Sequence, residues 1–305
     1  MAEATKRYAV VTGGNKGMGF QICKQLASIG ITVVLTARDE KRGLEAVEKL
    51  KSESGVSGKV YFHHLDVTNP AASVPSLANF IKTKFGKLDY LVNNAGINGL
   101  IVDQDALMAA TSQSDFAARI ERGENVDLSK IVKENYELAE ECFKVNYYGP
   151  KALCEGLIPL LLLSDSPRIV NVSTSMGTLE KFPSGWGKEV LSDAENLTEE
   201  KVEEVLKQFL ADYKEGSLET KGWPTMTSAY TVSKACLNAY TRILAKKYPS
   251  FCINSVCPGY VKTDMTFNAG VYTVEEGAES IVRVALLPDG NQSGLFFRRS
   301  EIVPF

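Results

Sequence analysis

Tyr230 and Lys234 stand four residues apart in the segment Ser228–Ala229–Tyr230–Thr231–Val232–Ser233–Lys234. Four residues is about one helical turn, so a helix here puts the phenol and the ammonium on one face. An ammonium in that position favours the phenolate and is expected to draw a tyrosine down from about 10 toward neutral pH. A tyrosine tuned in this way passes a proton to or from a substrate oxygen. Near the start of the chain, Thr12–Gly13–Gly14–Asn15–Lys16–Gly17–Met18–Gly19 supplies a second chemical signal. Gly13 suits a tight turn out of a strand, Gly17 lets backbone approach a pyrophosphate, and Gly19 allows a helix to pack closely on the strand. The phosphates of a dinucleotide then face the free N–H groups and the positive end of a helix. A nicotinamide dinucleotide beside a tuned tyrosine provides for both hydride and proton transfer.

The periodicity between and beyond these motifs supplies the elements that must position them. Tyr8–Val11, Thr32–Thr36, Val60–Leu65 and Leu88–Asn93 read as buried strands. Lys16–Ile29, Glu40–Ser54 and Leu77–Phe85 read as the helices between them. Alternation of this kind implies an α/β fold with a Rossmann-like, doubly wound parallel sheet. Tyr136–Leu163 reads as one long helix bent near Gly149–Pro150, followed by strands at Arg168–Val172, Cys252–Val256 and Ser293–Phe297. Helices are expected at Ser228–Tyr248 and Val274–Leu286. Two stretches, about 98–135 and 178–227, break the rhythm and read as helical insertions in one domain spanning 1–305. The first shows no strong strand. The second holds an acidic helix over Thr198–Lys214.

The second strand bears on the choice of cofactor. A site for NAD usually has an acid near the end of this strand. Here the strand runs into Ala37 and Arg38. Arg38 and Lys16 can bracket a 2′-phosphate, which favours NADPH/NADP+, while Asp39 reads as the start of the next helix. Asp66–Val67 comes after the third strand and can meet the adenine edge. Asn93–Asn94–Ala95–Gly96 comes after the fourth and lines the crevice at the strand ends.

Composition excludes several other classes. The net charge is −3, with no dense basic stripe, so nucleic acid is not expected as a partner. Met1–Arg7 has no signal-peptide character, and the longest apolar run, around Leu157–Leu163, is interrupted by Pro159 and too short for a bilayer. No membrane association and a cytoplasmic location are expected. The six cysteines, Cys23, Cys142, Cys154, Cys236, Cys252 and Cys257, form no CxxC pair and read as reduced thiols. The only histidines, His63 and His64, are adjacent on a strand and point to opposite faces. No metal site is expected, and little room remains for a Ser-His-Asp hydrolase.

Gly13-x3-Gly17-x-Gly19, Asn93–Asn94–Ala95–Gly96, Tyr230-x3-Lys234 and Pro258–Gly259 occur in this order. The chain thereby resembles the short-chain dehydrogenase/reductase family over essentially its whole length. Thr12–Gly17 and Leu35–Asp39 are similar to the monomeric carbonyl reductases of that family. Asn146–Tyr147–Tyr148–Gly149, Arg168–Ser173 and the two insertions are similar to a plant subgroup that reduces terpenoid and alkaloid ketones. The resemblance implies a catalytic set of Asn146, Thr174, Tyr230 and Lys234. Tyr230 would be the acid/base, Lys234 would bind the nicotinamide ribose, and Asn146 would hold a water of the proton relay. The position after Asn171–Val172–Ser173, serine in the family, is Thr174 here; it keeps a hydroxyl donor. Its neighbours Ser173 and Ser175 compete for the role, although Ser173 should point to the other side of the strand.

The implied cofactor contacts are Gly13, Asn15, Lys16, Gly17, Met18, Gly19, Arg38, Asp66, Val67, Asn94, Tyr230 and Lys234, with Val261 and Thr263 gripping the carboxamide. The segment with Met265 and Phe267 resembles a substrate lid. Trp186, Trp223 and Phe182 would either wall the pocket or pack as satellite core. An insertion in the place of 178–227 covers the family's oligomer face, which implies a monomer. The expected activity is NADPH-dependent reduction of a bulky cyclic ketone, a small-molecule substrate. The alternatives are enone C=C reduction, which in the plant subgroup goes with glutamate at the tyrosine position, and a non-catalytic nucleotide-binding protein. Tyr230 argues against the first, and the presence of Asn146, Tyr230 and Lys234 argues against the second.

Overall fold

Successive strand side chains point to opposite faces of a sheet, and the strands of this chain feed two separate apolar layers. In the first strand, Val10 enters one layer while Ala9 and Val11 enter the other; in the second, Val34 parts from Val33 and Leu35 in the same way. Strands buried on both faces need helices on both sides, and the chain supplies them. The computed structural model describes residues 6–112, 115–124, 126–290 and 292–305. Most of the amino-terminal segment read as lacking signal character, and three residues of the first insertion, lie outside the described residues.

The first half runs β1 (Tyr8–Val11), α1 (Gly17–Ser28), β2 (Thr32–Ala37), α2 (Glu40–Ser52), β3 (Val60–His64), α3 (Pro70–Phe85) and β4 (Tyr90–Asn93). The first insertion carries β5 (Ile101–Val102), α4 (Gln104–Thr111), α5 (Phe116–Glu121) and β6 (Val132–Lys133). Then come α6 (Tyr136–Phe143), a π-helical turn over Lys144–Tyr148, α7 (Gly149–Leu161) and β7 (Arg168–Val172). The second insertion carries α8 (Trp186–Ser192) and α9 (Glu199–Lys214). The chain closes with α10 (Ser228–Lys247), β8 (Cys252–Cys257), α11 (Val274–Ala285), β9 (Phe296–Arg298) and β10 (Glu301–Val303).

The sheet order is β3-β2-β1-β4-β7-β8-β9-β10, parallel throughout except for the final β9–β10 pair. The Rossmann-like doubly wound expectation holds. Strand order reverses between β1 and β4, so a crevice opens at their carboxyl ends. The opposite ends of the same strands serve stability. There the buried carboxylate of Asp89 accepts from Arg7 at 2.9 Å, from Lys87 at 2.9 Å and from the backbone N–H of Tyr8.

Four expectations need correction. The third helix starts at Pro70, not Leu77, because Pro70 takes the first turn, where its missing N–H is no loss. The long helix is not simply bent at Gly149–Pro150; the π-helical turn precedes them and divides it into α6 and α7. The first insertion contains an antiparallel strand pair, β5–β6, too short to show periodicity. The last parallel strand is shifted to Phe296–Arg298, and an antiparallel edge strand comes after it. Among the described residues, no helix is long and apolar enough to cross a membrane.

Candidate active site

The glycine loop joins β1 to α1 as its residue types require. Gly13 has φ +64° and Gly17 has φ +53°, both in the left-handed region that glycine enters without strain. A Cβ on Gly19 would collide with the carbonyl of Gly13, so helix and loop approach as closely as expected. A Cβ on Gly17 would meet nothing within 4 Å, which leaves that backbone open to an incoming group. Lys16 is the N-cap residue of α1 but its side chain makes no capping bond, and the first turn carries no acid. The helix therefore presents unsatisfied N–H donors and the positive end of its dipole, the provision a pyrophosphate needs.

Asn94 stitches the end of β4 to this loop. Its side-chain amide donates to the Thr12 carbonyl at 2.8 Å, and the backbone N–H groups of Asn94 and Ala95 both donate to Thr12 Oγ1 at 2.9 Å. Asn94 thus shapes the crevice through its neighbours. Met18 packs into the layer beneath α1, its sulfur near Gly277 of α11.

The cations divide between two places. Asn15, Lys16 and Gly17 line a cavity of about 580 Å³ together with Arg42. Arg38 is not part of that lining; its charge is felt by Asp66, whose carboxyl is pulled below the usual range by bonds from Thr68 and by Arg38, against burial. Asp66 Oδ1 accepts from the N–H and hydroxyl of Thr68 at 2.9 and 2.7 Å, and Val67 packs against Gly149 at the start of α7. Arg42 went unnoticed in the sequence, although it lies only four residues beyond Arg38. Asp39 caps α2 by accepting from the Arg42 N–H, as expected of it. Lys16 Nζ also pairs with Asp264 at 2.6 Å, a contact from the far side of the crevice. Both side chains are exposed, so the pair is weak and exchangeable.

Asn146 lies in the π-helical turn and is fully buried. Its side chain brackets Ile97: Nδ2 donates to the Ile97 carbonyl at 2.9 Å, and Oδ1 accepts from the Ile97 N–H at 3.0 Å. Nδ2 also donates to Ser233 Oγ at 3.1 Å. A carbonyl at position 146 of a regular helix would accept from residue 150, but Pro150 has no N–H. Gly96 completes the cradle: a Cβ there would stand 3.3 Å from Asn146 Oδ1 and 3.5 Å from Lys234 Nζ.

Tyr230 and Lys234 fall on α10 one turn apart, as expected. Lys234 is buried, and its Nζ donates to the Val172 carbonyl at 2.8 Å. Burial lowers it to about 8, against an opposing pull from the Cys142 and Cys257 thiols. The half-buried Tyr230 corrects an expectation. Burial pushes its phenol above the ordinary value, the Cys257 and Cys142 thiols add to the rise, and the Thr174 hydroxyl opposes it through a hydrogen bond. Desolvation of the phenolate outweighs the downward pull expected from Lys234.

The three hydroxyls after β7 are separated by geometry. Thr174 is the one of the three whose hydroxyl bears on the Tyr230 phenol, and its Oγ1 accepts from the Met176 N–H at 3.2 Å. Ser173 is buried and turns toward the Lys234 carbonyl on the other side, and Ser175 faces the Cys257 thiol. Across the crevice, Thr263 starts a short turn over Asp264–Thr266, and the buried Val261 offers its carbonyl to Thr266 Oγ1 at 2.6 Å. Phe267 and Asn268, with φ of +52° and +59°, end that turn. Asn98 Nδ2 ties Met265 to the β4 end of the crevice at 3.1 Å.

Trp223 and Phe182 belong to the core and not to a pocket wall. Trp223 is 1% exposed, stacks edge-on against Phe209 and Trp186, and donates its indole N–H to Asp212 at 2.7 Å. Helix α9 packs on α6 and α10, so the second insertion covers the faces of those helices.

The family of the short chain dehydrogenases matches residues 7–185. The chain is 59% identical to (+)-neomenthol dehydrogenase of Arabidopsis thaliana over the full length of both. It is 54% identical to (-)-isopiperitenone reductase of Mentha piperita, over 99% of this chain and 98% of the other. The solved structure of salutaridine reductase from Papaver somniferum superimposes with a TM-score of 0.89 at 55% identity, covering 96% of this chain and 99% of that one. With its glycine loop, its switch-point crevice and its tyrosine–lysine helix, the chain belongs to the short-chain dehydrogenase/reductase family and is an oxidoreductase.

Proposed function

We propose that the protein reduces a bulky cyclic ketone of terpenoid or alkaloid type to a secondary alcohol, with NADPH as reductant. The observation that carries this reading is the placing of Tyr230 one helical turn from the buried Lys234, whose Nζ donates to the Val172 carbonyl at 2.8 Å, at the strand ends that the glycine loop also reaches. The residues fit a dinucleotide: the open backbone at Gly17, the uncapped start of α1 and the cations Lys16, Arg38 and Arg42 are what its pyrophosphate and a 2′-phosphate require. Lys234, Val261 and Thr263 would hold the nicotinamide end, where the bound cofactor supplies a hydride to the carbonyl carbon. Tyr230 gives its proton to the carbonyl oxygen. A phenol held above its ordinary value is protonated at neutral pH, which is the form a reduction needs. Thr174 donates to the same oxygen as negative charge develops on it, the kind of preorganised donor that stabilises an oxyanion. The Lys234 ammonium then steadies the phenolate, and Asn146 holds the water from which the proton is restored.

Relatives named for neomenthol and salutaridine support a cyclic ketone as substrate. The covering of α6 and α10 by α9 supports a monomer. Six free cysteines, five of them buried, support a reducing compartment such as the cytoplasm. The test is NADPH consumption against cyclic ketones and enones, with products resolved by chiral chromatography. Alcohol products, NADPH preferred to NADH, and loss of about 10²-fold or more in Tyr230→Phe with NADPH binding retained are the expected results. A saturated ketone formed from an enone, or near-normal turnover by Tyr230→Phe, would overturn the reading.

A further inference from the structure

The catalytic helix α10 begins without a cap of its own. Thr227, which precedes it, has φ +49° and donates its hydroxyl to the Met226 carbonyl at 2.7 Å. The first N–H groups of the helix are taken instead by a residue 94 positions earlier. Glu134 Oε2 accepts from the Ser228 N–H at 3.0 Å, and Oε1 accepts from the Ala229 N–H at 3.2 Å and from Ser228 Oγ at 3.2 Å. The very next residue, Asn135, caps a different helix: its Oδ1 accepts from the Leu138 N–H of α6 at 2.8 Å. Helix α6 leads straight into the turn that carries Asn146, and α10 carries Tyr230 one residue beyond the Ala229 bond.

We infer that Glu134 and Asn135 are positioning residues that set α6 and α10, and so Asn146 and Tyr230, in register for proton transfer. The inference rests on the ketone-reductase reading above. The two caps stand on adjacent residues, so they fix the starts of both helices relative to one another. A carboxylate at a helix start is held by charge as well as by hydrogen bonds. The two oxygens on consecutive amides define the direction of the first turn, and Tyr230 lies in that turn. This carboxylate comes from the end of the first insertion, so part of the job of that insertion is to brace the catalytic helix. A cavity of about 540 Å³ borders Glu134, Met226 and Ser228. Water can therefore reach the Ser228 and Ala229 amides when the side chain is cut back, and the geometry is lost more readily than the fold.

The test compares Glu134→Ala, Glu134→Gln and Asn135→Ala with the wild type and with Tyr230→Phe. The readouts are kcat and KM for one cyclic ketone at saturating NADPH, with rates expressed per NADPH-binding site by fluorescence titration, and the melting temperature. A displaced acid loses rate steeply with distance, so kcat of Glu134→Ala is expected to fall roughly tenfold to a hundredfold. KM and NADPH affinity should stay within about threefold, because the glycine loop is untouched. Glu134→Gln keeps one acceptor but turns an NH2 group toward the second amide, so its kcat should fall between the two. Should Glu134→Ala not fold, Glu134→Gln and Asn135→Ala carry the test, each with a lower kcat per binding site and unchanged KM. Wild-type kcat per site in every folded variant overturns the proposal. So does a fall in activity that merely tracks the loss of NADPH-binding sites. Near-normal turnover by Tyr230→Phe, or no ketone reduction by wild type, overturns the underlying reading instead.

Discussion

Lys234→Met should raise stability while abolishing reduction. The structure supplies the size of the effect. At 1.36 kcal/mol per pH unit, the drop of Lys234 from 10.5 to about 8 means that burying the ammonium costs roughly 3 kcal/mol. Methionine has a similar length and no charge, and it removes that cost. It also leaves the Val172 carbonyl without its donor, which offsets the gain by about 1 kcal/mol or somewhat more. The net gain at pH 7 is therefore about 1–2 kcal/mol, or roughly 2–3 °C in melting temperature for a chain of this length. The dependence on pH comes from linkage. A lowered value on a cation means that the folded chain binds the proton less tightly than the unfolded chain, so the wild type gains stability as pH rises from about 8 toward 10.5. The advantage of the variant is thus complete below about pH 8 and shrinks above it. Denaturant melts of both proteins at pH 7 and 9.5, without nucleotide, measure it. A variant less stable than wild type at pH 7, or an advantage that grows with pH, would show that Lys234 does not bear the desolvation cost assigned to it.

Thr174→Val keeps the shape and removes the hydroxyl; kcat should fall roughly 10²-fold, and Thr174→Ser should restore most of it, in the same ketone assay. If Ser173 or Ser175 carried the role, Thr174→Val would leave the rate nearly intact. Arg38→Ala and Arg42→Ala should each weaken NADPH binding by about tenfold or more while leaving NADH unchanged, since the lost contact is to the 2′-phosphate; titration of both nucleotides decides it. Asp212→Ala leaves the Trp223 indole N–H buried without a partner and should cost about 1–3 kcal/mol in unfolding experiments, with kcat unchanged.

The parts of this site that are legible in the sequence depend on short spacing. The glycine loop works through the φ values of Gly13 and Gly17 and the missing Cβ of Gly19, and the Tyr230–Lys234 pair through one helical turn. These are local consequences of residue type and carry over directly into three dimensions. The parallel sheet is legible for a similar reason, because strands buried on both faces read as continuous apolar runs. The π-helical turn over Lys144–Tyr148 has no such signature: it differs from an α-helix only in the step of its hydrogen bonds, and Pro150 after it reads equally well as a bend. The direction in which the Tyr230 phenol moves was also beyond the sequence. Spacing shows that Lys234 is close, but the competing effect is how much water the fold removes from the phenol. That depends on Cys142, Cys257 and Thr174 converging from three other parts of the chain.

The partners that steady the site are polar residues far away in the chain, and they lie mostly in segments without periodicity. Glu121 of the first insertion accepts from the Tyr260 N–H at 2.6 Å, and Glu134 holds the start of α10. A carboxylate in an irregular stretch reads as a solvated surface charge, because nothing in its neighbours' spacing tells which buried amide it will meet. The insertions therefore look like decoration in the sequence and act as braces in the fold. Glu121 and Glu134 belong to one insertion and grip opposite walls of the crevice, the Pro258–Gly259–Tyr260 loop on one side and the tyrosine helix on the other. A catalytic constellation must be held to a fraction of an ångström, and a loop anchored at two points of that constellation can supply such constraint without touching the substrate.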